Sequence, residues 1–222
     1  MSSKNKQIII AGSNGGVGSA ITKKFNENNW DVIELSRKKS TEKDTLHRHV
    51  KDFMDVNNLN NIAKKIFSKN HNIDAFINCI GQWSSSGVTW DEKTFNNNFL
   101  ITKNIFDVFS PFFLKQDFGR FITVSSIDDL YPNTNSFVYS CSKSAVTTLS
   151  NLYRKKYRDT NVNFDELLPG GINTKNRDKT EDKSIILQPE DMADLCFYLA
   201  NVNSRVAFED IVLYPKKFSY NN

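Results

Sequence analysis

Short apolar runs, separated by turns and by longer stretches at helical spacing, set the pattern of this chain. The first run, Gln7-Ile-Ile-Ile-Ala11, is β-branched and too short for a helix, so it predicts a buried strand. Past the glycines that follow, Val17, Ile21 and Phe25 recur at helical spacing, and Asp31-Val-Ile-Glu-Leu35 predicts a second strand, completing a βαβ unit. The alternation continues with a short strand over residues 49–51, a helix marked by Leu59, Ile62 and Ile66, and a strand over 74–78. A long helix over 94–113, a strand over 120–124, a helix over 137–157 and a strand over 162–168 come next. A helix opening at Pro189, a favoured first-turn residue, and a strand over 210–213 close the series. Such turn-taking predicts an α/β fold in three layers: a doubly wound parallel sheet with helices on both faces and ligands at the carboxyl ends of its strands. The pattern shows no internal repeat and no linker, and one core commonly reaches 222 residues, so a single domain, 1–222, is expected.

Composition narrows the function classes. Cys79, Cys141 and Cys196 are odd in number and widely spaced, which points to a reducing, cytoplasmic setting. Neither an apolar leader nor a run of about 18 apolar residues occurs, so a soluble protein without a membrane partner is expected. The net charge of +4 comes from 29 basic and 25 acidic residues that are interspersed, a solvated surface and not a nucleic-acid patch. His47, His49 and His71 lack the spacing of metal ligands, so no metal is expected.

Chemistry concentrates in two places. Gly12-Ser13-Asn14-Gly15-Gly16-Val17-Gly18 lies between the first strand and the first helix, the context in which a glycine turn approaches a pyrophosphate at a helix N-terminus. Tyr139 and Lys143 lie one turn apart on a helix face, where the ammonium is expected to lower the phenol pKa.

With these residues the chain resembles the short-chain dehydrogenase/reductase family, whose Thr-Gly-x-x-x-Gly-x-Gly turn is filled by Gly12, Gly16 and Gly18, with Ala11 in place of Thr. The same letters fit the turn of sugar-nucleotide epimerases, so the turn alone selects no reaction; that branch generally needs a larger substrate domain. A Rossmann-type fold is implied. Where an NAD site usually places a carboxylate, Ser36 stands with Arg37 and Lys38 beside it, a set suited to the 2′-phosphate of NADP(H), with Ser13 as a supplement. Asp52-Phe53 resembles the family's adenine-contacting pair, with Asp55 as the competing register. Asn78-Cys-Ile-Gly81 resembles its Asn-Asn-Ala-Gly turn near the adenosine ribose, and Pro169, Gly170, Ile172 and Thr174 match its segment at the nicotinamide end.

The resemblance also implies the reaction. Ser126 precedes Tyr139 at the family's separation, and Asn98, with Asn97 as the alternative register, matches its helix asparagine. The implied reaction is hydride transfer between nicotinamide and a carbonyl or alcohol carbon of a small molecule. Tyr139 would move the proton, Ser126 would hydrogen-bond the reacting oxygen, Lys143 would hold the ribose and tune Tyr139, and Asn98 would anchor a relay water. The competing class is a non-catalytic NADP(H)-binding sensor, which would be expected to lack one of Ser126, Tyr139 and Lys143. Trp83, Ser84 and Trp90 are expected to border the pocket, and the short charged segment 175–184 stands where the family often carries a lid. The apolar content of the helices over 94–113 and 137–157 points to a homodimer.

Overall fold

Seven parallel strands form the middle layer, in the order β3-β2-β1-β4-β5-β6-β7. In the computed structural model, which describes residues 5–38, 48–69, 72–85, 87–174 and 185–216, the strands are β1 (Gln7–Ala11), β2 (Asp31–Ser36), β3 (Arg48–His49) and β4 (Ala75–Asn78), then β5 (Gly119–Val124), β6 (Val162–Pro169) and β7 (Asp210–Leu213). His47, His71 and the segment 175–184 lie outside the described residues. The chain reverses its direction of travel across the sheet after β3, which opens a crevice at the carboxyl ends of β1 and β4.

Period-two alternation divides the core between two faces. Ile9, Ile33, Phe76, Phe121 and Phe164 point to one face, which is covered by α2 (Val56–Lys69), α4 (Ile101–Gln116) and α5 (Phe137–Tyr157). Ile8, Ile10, Val32, Ile77, Ile122 and Leu167 point to the other, under α1 (Gly16–Glu27) and α6 (Pro189–Asn201). On the first face three cross-strand rings form a row: Phe76 stacks on Phe121 at 5.5 Å and Phe121 on Phe164 at 4.7 Å, with Phe106, Phe109 and Phe113 of α4 closing over them. This row absorbs most of the apolar content expected to drive dimerisation. Of the large apolar residues on α4 and α5, only Leu114, Phe137 and Leu152 are exposed.

The long helix differs from the expected 94–113 stretch. It begins as α3 (Glu92–Phe95), whose first turn is capped by Asp91, and passes through a π-helical segment, Asn96–Leu100, before α4. The extra residue in that turn re-aims Asn98 inward, where it is buried. At the sheet's edge β3 is shorter than the 49–51 expected. Val50 still bonds Ser36 through its N–H, but Lys51 turns away, and the strand has a neighbour on only one side.

One buried ion pair ties β5 to the approach of β7. Arg120 on β5 bonds Asp165 on β6 and donates to the Val206 carbonyl at 2.7 Å, while Asp165 accepts from the Phe208 N–H at 3.1 Å. Burial pushes the Asp165 carboxyl up to about 6, against the pull of Arg120. Arg120→Ala would leave that carboxylate buried and unpaired, and is expected to cost about 3–5 kcal/mol. Urea unfolding checks this: a midpoint close to wild type would show that the pair does not secure the β7 end.

Candidate active site

The glycine turn is built by close approach. Gly12, at φ +84°, donates its N–H to the Leu35 carbonyl, and a Cβ on Gly18 would lie 2.2 Å from the Gly12 carbonyl oxygen. Helix α1 then starts without a side-chain cap on Gly15, and its first internal bond is Ser19 N–H to Gly15 O. The N–H groups at Gly16, Val17 and Gly18 therefore have no partner within the helix, the condition for binding a phosphate. Ser13 is buried with its hydroxyl unpaired, and Thr174 reaches the same turn, within 3.0 Å of where a Cβ on Gly16 would stand. These residues fit a dinucleotide pyrophosphate. Although Ala11 lacks the usual hydroxyl, its carbonyl still accepts the Cys79 N–H at 2.9 Å and keeps β1 and β4 together.

Along the crevice the two basic side chains, Arg37 and Lys38, are exposed. Ser36 is buried, and its hydroxyl takes the Asn14 amide at 2.6 Å and donates to the Lys38 carbonyl at 2.8 Å. It ties the two loops together in place of offering an open hydroxyl. Asp52 accepts the Met54 N–H at an exposed position, whereas Asp55 accepts the Asn58 N–H and starts α2, so Asp55 is committed to the fold. Phe53, next to Asp52 in the turn before α2, is buried with its ring in the aromatic face of the core. Asn78 donates to Thr102 and accepts the Ile80 N–H, fixing the turn to Gly81. At the far end Pro169 is buried, Gly170 N–H bonds the Leu213 carbonyl, and Ile172 bridges to Leu187.

Ser126, Tyr139, Lys143 and Asn98 converge at the carboxyl ends of β4 and β5. Ser126 ends the β5 extension near enough to the Tyr139 phenol to lower its pKa, while the Lys143 ammonium lies 5.6 Å from the centre of the Tyr139 ring. Lys143 is 3% exposed and donates to the Val124 carbonyl at 3.4 Å. Asn98 accepts the Gln82 N–H at 2.7 Å and donates to Gln82 O and Ser142 Oγ, so both amide hydrogens are used and only acceptor capacity remains for a water. Asn97 is occupied elsewhere, donating to the Gln82 side chain at 2.6 Å. Gly81 keeps the space between the two groups open: a Cβ there would lie 3.4 Å from Lys143 Nζ and 3.5 Å from Asn98 Oδ1. Trp83 and Trp90 stand exposed on the loop that follows.

The electrostatics differ from expectation. Burial, with a smaller contribution from the nearby Asp128 charge, pushes the Tyr139 phenol up to about 12 against the lowering effect of Ser126. Lys143 was expected to lower the phenol pKa; instead its own pKa is pulled from 10.5 down to about 8 by burial, against the charges of Glu166 and Asp128. Those two carboxylates carry no motif. Glu166 is a fully buried acid on β6 that accepts from Thr147 at 2.9 Å, and its one sequence signal is a carboxylate, next to Asp165, inside a buried strand.

A family model described as short chain dehydrogenase matches residues 6–184. The chain belongs to the short-chain dehydrogenase family. It is 24% identical to an uncharacterized oxidoreductase of Staphylococcus epidermidis, over 96% of this chain and 98% of that one. An uncharacterized oxidoreductase of Staphylococcus aureus is 25% identical, over 95% and 97%. Among solved structures, serine dehydrogenase from Escherichia coli is similar at a TM-score of 0.85 and 18% identity, covering 96% of this chain and 100% of that one. ElxO with NADP bound is similar at 0.83 and 24% identity, covering 94% and 98%. As a short-chain dehydrogenase the chain is an enzyme, an oxidoreductase on a Rossmann-like sheet. Among the described residues no helix is long and apolar enough to cross a membrane.

The pKa of Lys143 gives a pH dependence with a definite sign. Because it is depressed in the folded chain, from 10.5 to about 8, the unfolded chain binds more protons between those values, and stability rises with pH across that window. Activity runs the other way if the ammonium is used. The kcat/KM for carbonyl reduction is expected to fall above about pH 8, and a profile level to about pH 9.5 would show that the charge on Lys143 is not needed.

Proposed function

We propose that this enzyme, working as one domain, is an NADP(H)-dependent oxidoreductase that moves a hydride between nicotinamide and a carbonyl or alcohol carbon of a small molecule. The observation that carries this reading is the convergence of Ser126, Tyr139, Lys143 and Asn98 beside a glycine turn with free N–H groups. On this reading Gly12, Ser13, Asn14, Gly16, Val17 and Gly18 hold the pyrophosphate, Ser36, Arg37 and Lys38 border the 2′-phosphate, and Asp52 and Phe53 border the adenine. The Asn78–Gly81 turn borders the adenosine ribose, and Pro169, Gly170, Ile172 and Thr174 border the carboxamide. NADP named with similar structures such as ElxO supports the same cofactor here.

The bound nicotinamide supplies or takes up the hydride. In reduction Tyr139, protonated through the neutral range, gives its phenol proton to the oxygen that gains charge, and Ser126 donates a hydrogen bond to that oxygen. Lys143 holds the ribose hydroxyls and restores the phenol proton through a water on Asn98. In oxidation Tyr139 takes the proton back. A dimer through α4 and α5 would cover Leu114 and Leu152, and the cytoplasm is the compartment we assign.

Two measurements test this reading. Tyr139→Phe is expected to bind cofactor as wild type does and to lose most turnover, roughly the factor of 10²–10⁴ that general acid catalysis supplies. Near-wild-type rates would remove Tyr139 from the chemistry, and cofactor binding without turnover of any carbonyl by the unmodified enzyme would favour the sensor. Arg37→Ala is expected to weaken NADPH binding roughly ten- to a hundred-fold and to leave NADH nearly unchanged, as loss of one charge-assisted phosphate bond implies. Tryptophan fluorescence titration with both cofactors reads this, and equal affinities in the unmodified enzyme would show that Arg37 does not meet the phosphate.

A further inference from the structure

A carboxylate stands among these groups that the proposed chemistry does not use. Asp128 follows Ser126 by two residues on the 3-10 turn Ile127–Asp129, for which Ser126 is the capping residue. Its Oδ2 accepts the Ser126 hydroxyl at 2.8 Å, and its own N–H donates back to Ser126 Oγ at 3.2 Å. Its charge reaches both other groups, raising the pKa of the Tyr139 phenol and of the Lys143 ammonium. Burial raises the pKa of Asp128 itself, against the Ser126 hydrogen bond and the Lys143 charge. Among the described residues no cation forms a salt bridge with Asp128, and Ser126 is the only other side chain recorded donating to it.

Resting on the oxidoreductase reading above, we infer that Asp128 is a specificity-determining residue that binds a protonated amine on the carbon next to the reacting carbon. The substrates are then small amino alcohols and the corresponding amino ketones.

The argument starts from the proton count at Ser126. A hydroxyl has one proton, and Asp128 accepts it at 2.8 Å, so a substrate oxygen must compete with that carboxylate for it. An ammonium beside Asp128 supplies the carboxylate with donors of its own and releases the Ser126 proton toward the reacting oxygen. Since one hydrogen bond separates Asp128 from Ser126, the amine must sit close to the reacting carbon and not at a distant end of the ligand. Charge fixes the preference. A half-buried carboxylate attracts a cation more strongly than one in water does, a neutral alkyl group leaves it desolvated without a partner, and an acid is repelled. A hydroxyl, one neutral donor, falls between. In the oxidation of such an alcohol the carbon loses a hydride to the oxidised nicotinamide and the hydroxyl loses its proton to Tyr139; the amine is unaltered.

Four alcohols of matched size decide the point: isopropanolamine, propylene glycol, sec-butanol and lactate, each oxidised with NADP near neutral pH. Their kcat/KM values are expected to fall in that order, with isopropanolamine exceeding sec-butanol roughly ten- to a hundred-fold. Asp128→Asn keeps an acceptor for the Ser126 hydroxyl and removes the charge, so it is expected to bring that ratio toward one. Equal values for isopropanolamine and sec-butanol, or a ratio that survives Asp128→Asn, would overturn the inference. If none of the four is turned over, fluorescence titration of the enzyme with isopropanolamine decides: saturable binding weakened about ten-fold or more by Asp128→Asn supports the inference, and its absence overturns it. Failure of the oxidoreductase reading looks different, since then neither dinucleotide binds or turnover survives Tyr139→Phe, while the amine titration still judges Asp128.

Discussion

Holding a lysine ammonium inside the protein is costly, and much of the site is arranged around that cost. Lys143 is 3% exposed, and the protein offers it the Val124 carbonyl at 3.4 Å and the negative charges of Glu166 and Asp128. Even so its pKa falls to about 8, which shows that the compensation is partial. Each contributor comes from a different element: α5 carries Lys143, β5 the carbonyl, β6 Glu166 and the turn after β5 Asp128. The site is therefore specified by the strand order, because only β5 lying beside β6 and under α5 brings these groups together.

Much of the scaffold was legible from periodicity. Gln7–Ala11 and Phe137–Tyr157 stand as the apolar pattern places them, because a fully buried strand and a long amphipathic helix each leave a strong signal. The π-helical segment did not. The apolar positions around residues 96–100 are too few to show one extra residue, and Asn98 stood out only through the resemblance.

Charges were the least legible part. Proximity in sequence made Lys143 the natural partner of Tyr139, and helical spacing does put them on one face. What spacing omits is desolvation, the largest contribution at both groups, and the two carboxylates that arrive from elsewhere in the chain. Asp128 and Glu166 belong to no motif. A carboxylate within a buried strand is a visible anomaly, but its partners across the fold are not.

This charge balance has a consequence for the proposed chemistry. With two carboxylates around one ammonium, Tyr139 has no surplus of positive charge to favour its phenolate, and it stays protonated up to about 12. That is the state needed to donate a proton during reduction, when the bound nicotinamide is neutral. In the proposed oxidation Tyr139 would instead accept a proton, and the positive charge favouring its phenolate would come with the oxidised nicotinamide. On that proposal the protonation of Tyr139 would follow the redox state of the cofactor, because the chain's own charges are already spent on Lys143. An amine at Asp128 would act in the same direction, by neutralising the carboxylate that otherwise raises the phenol pKa. Substrate charge and cofactor charge would thus converge on one phenol.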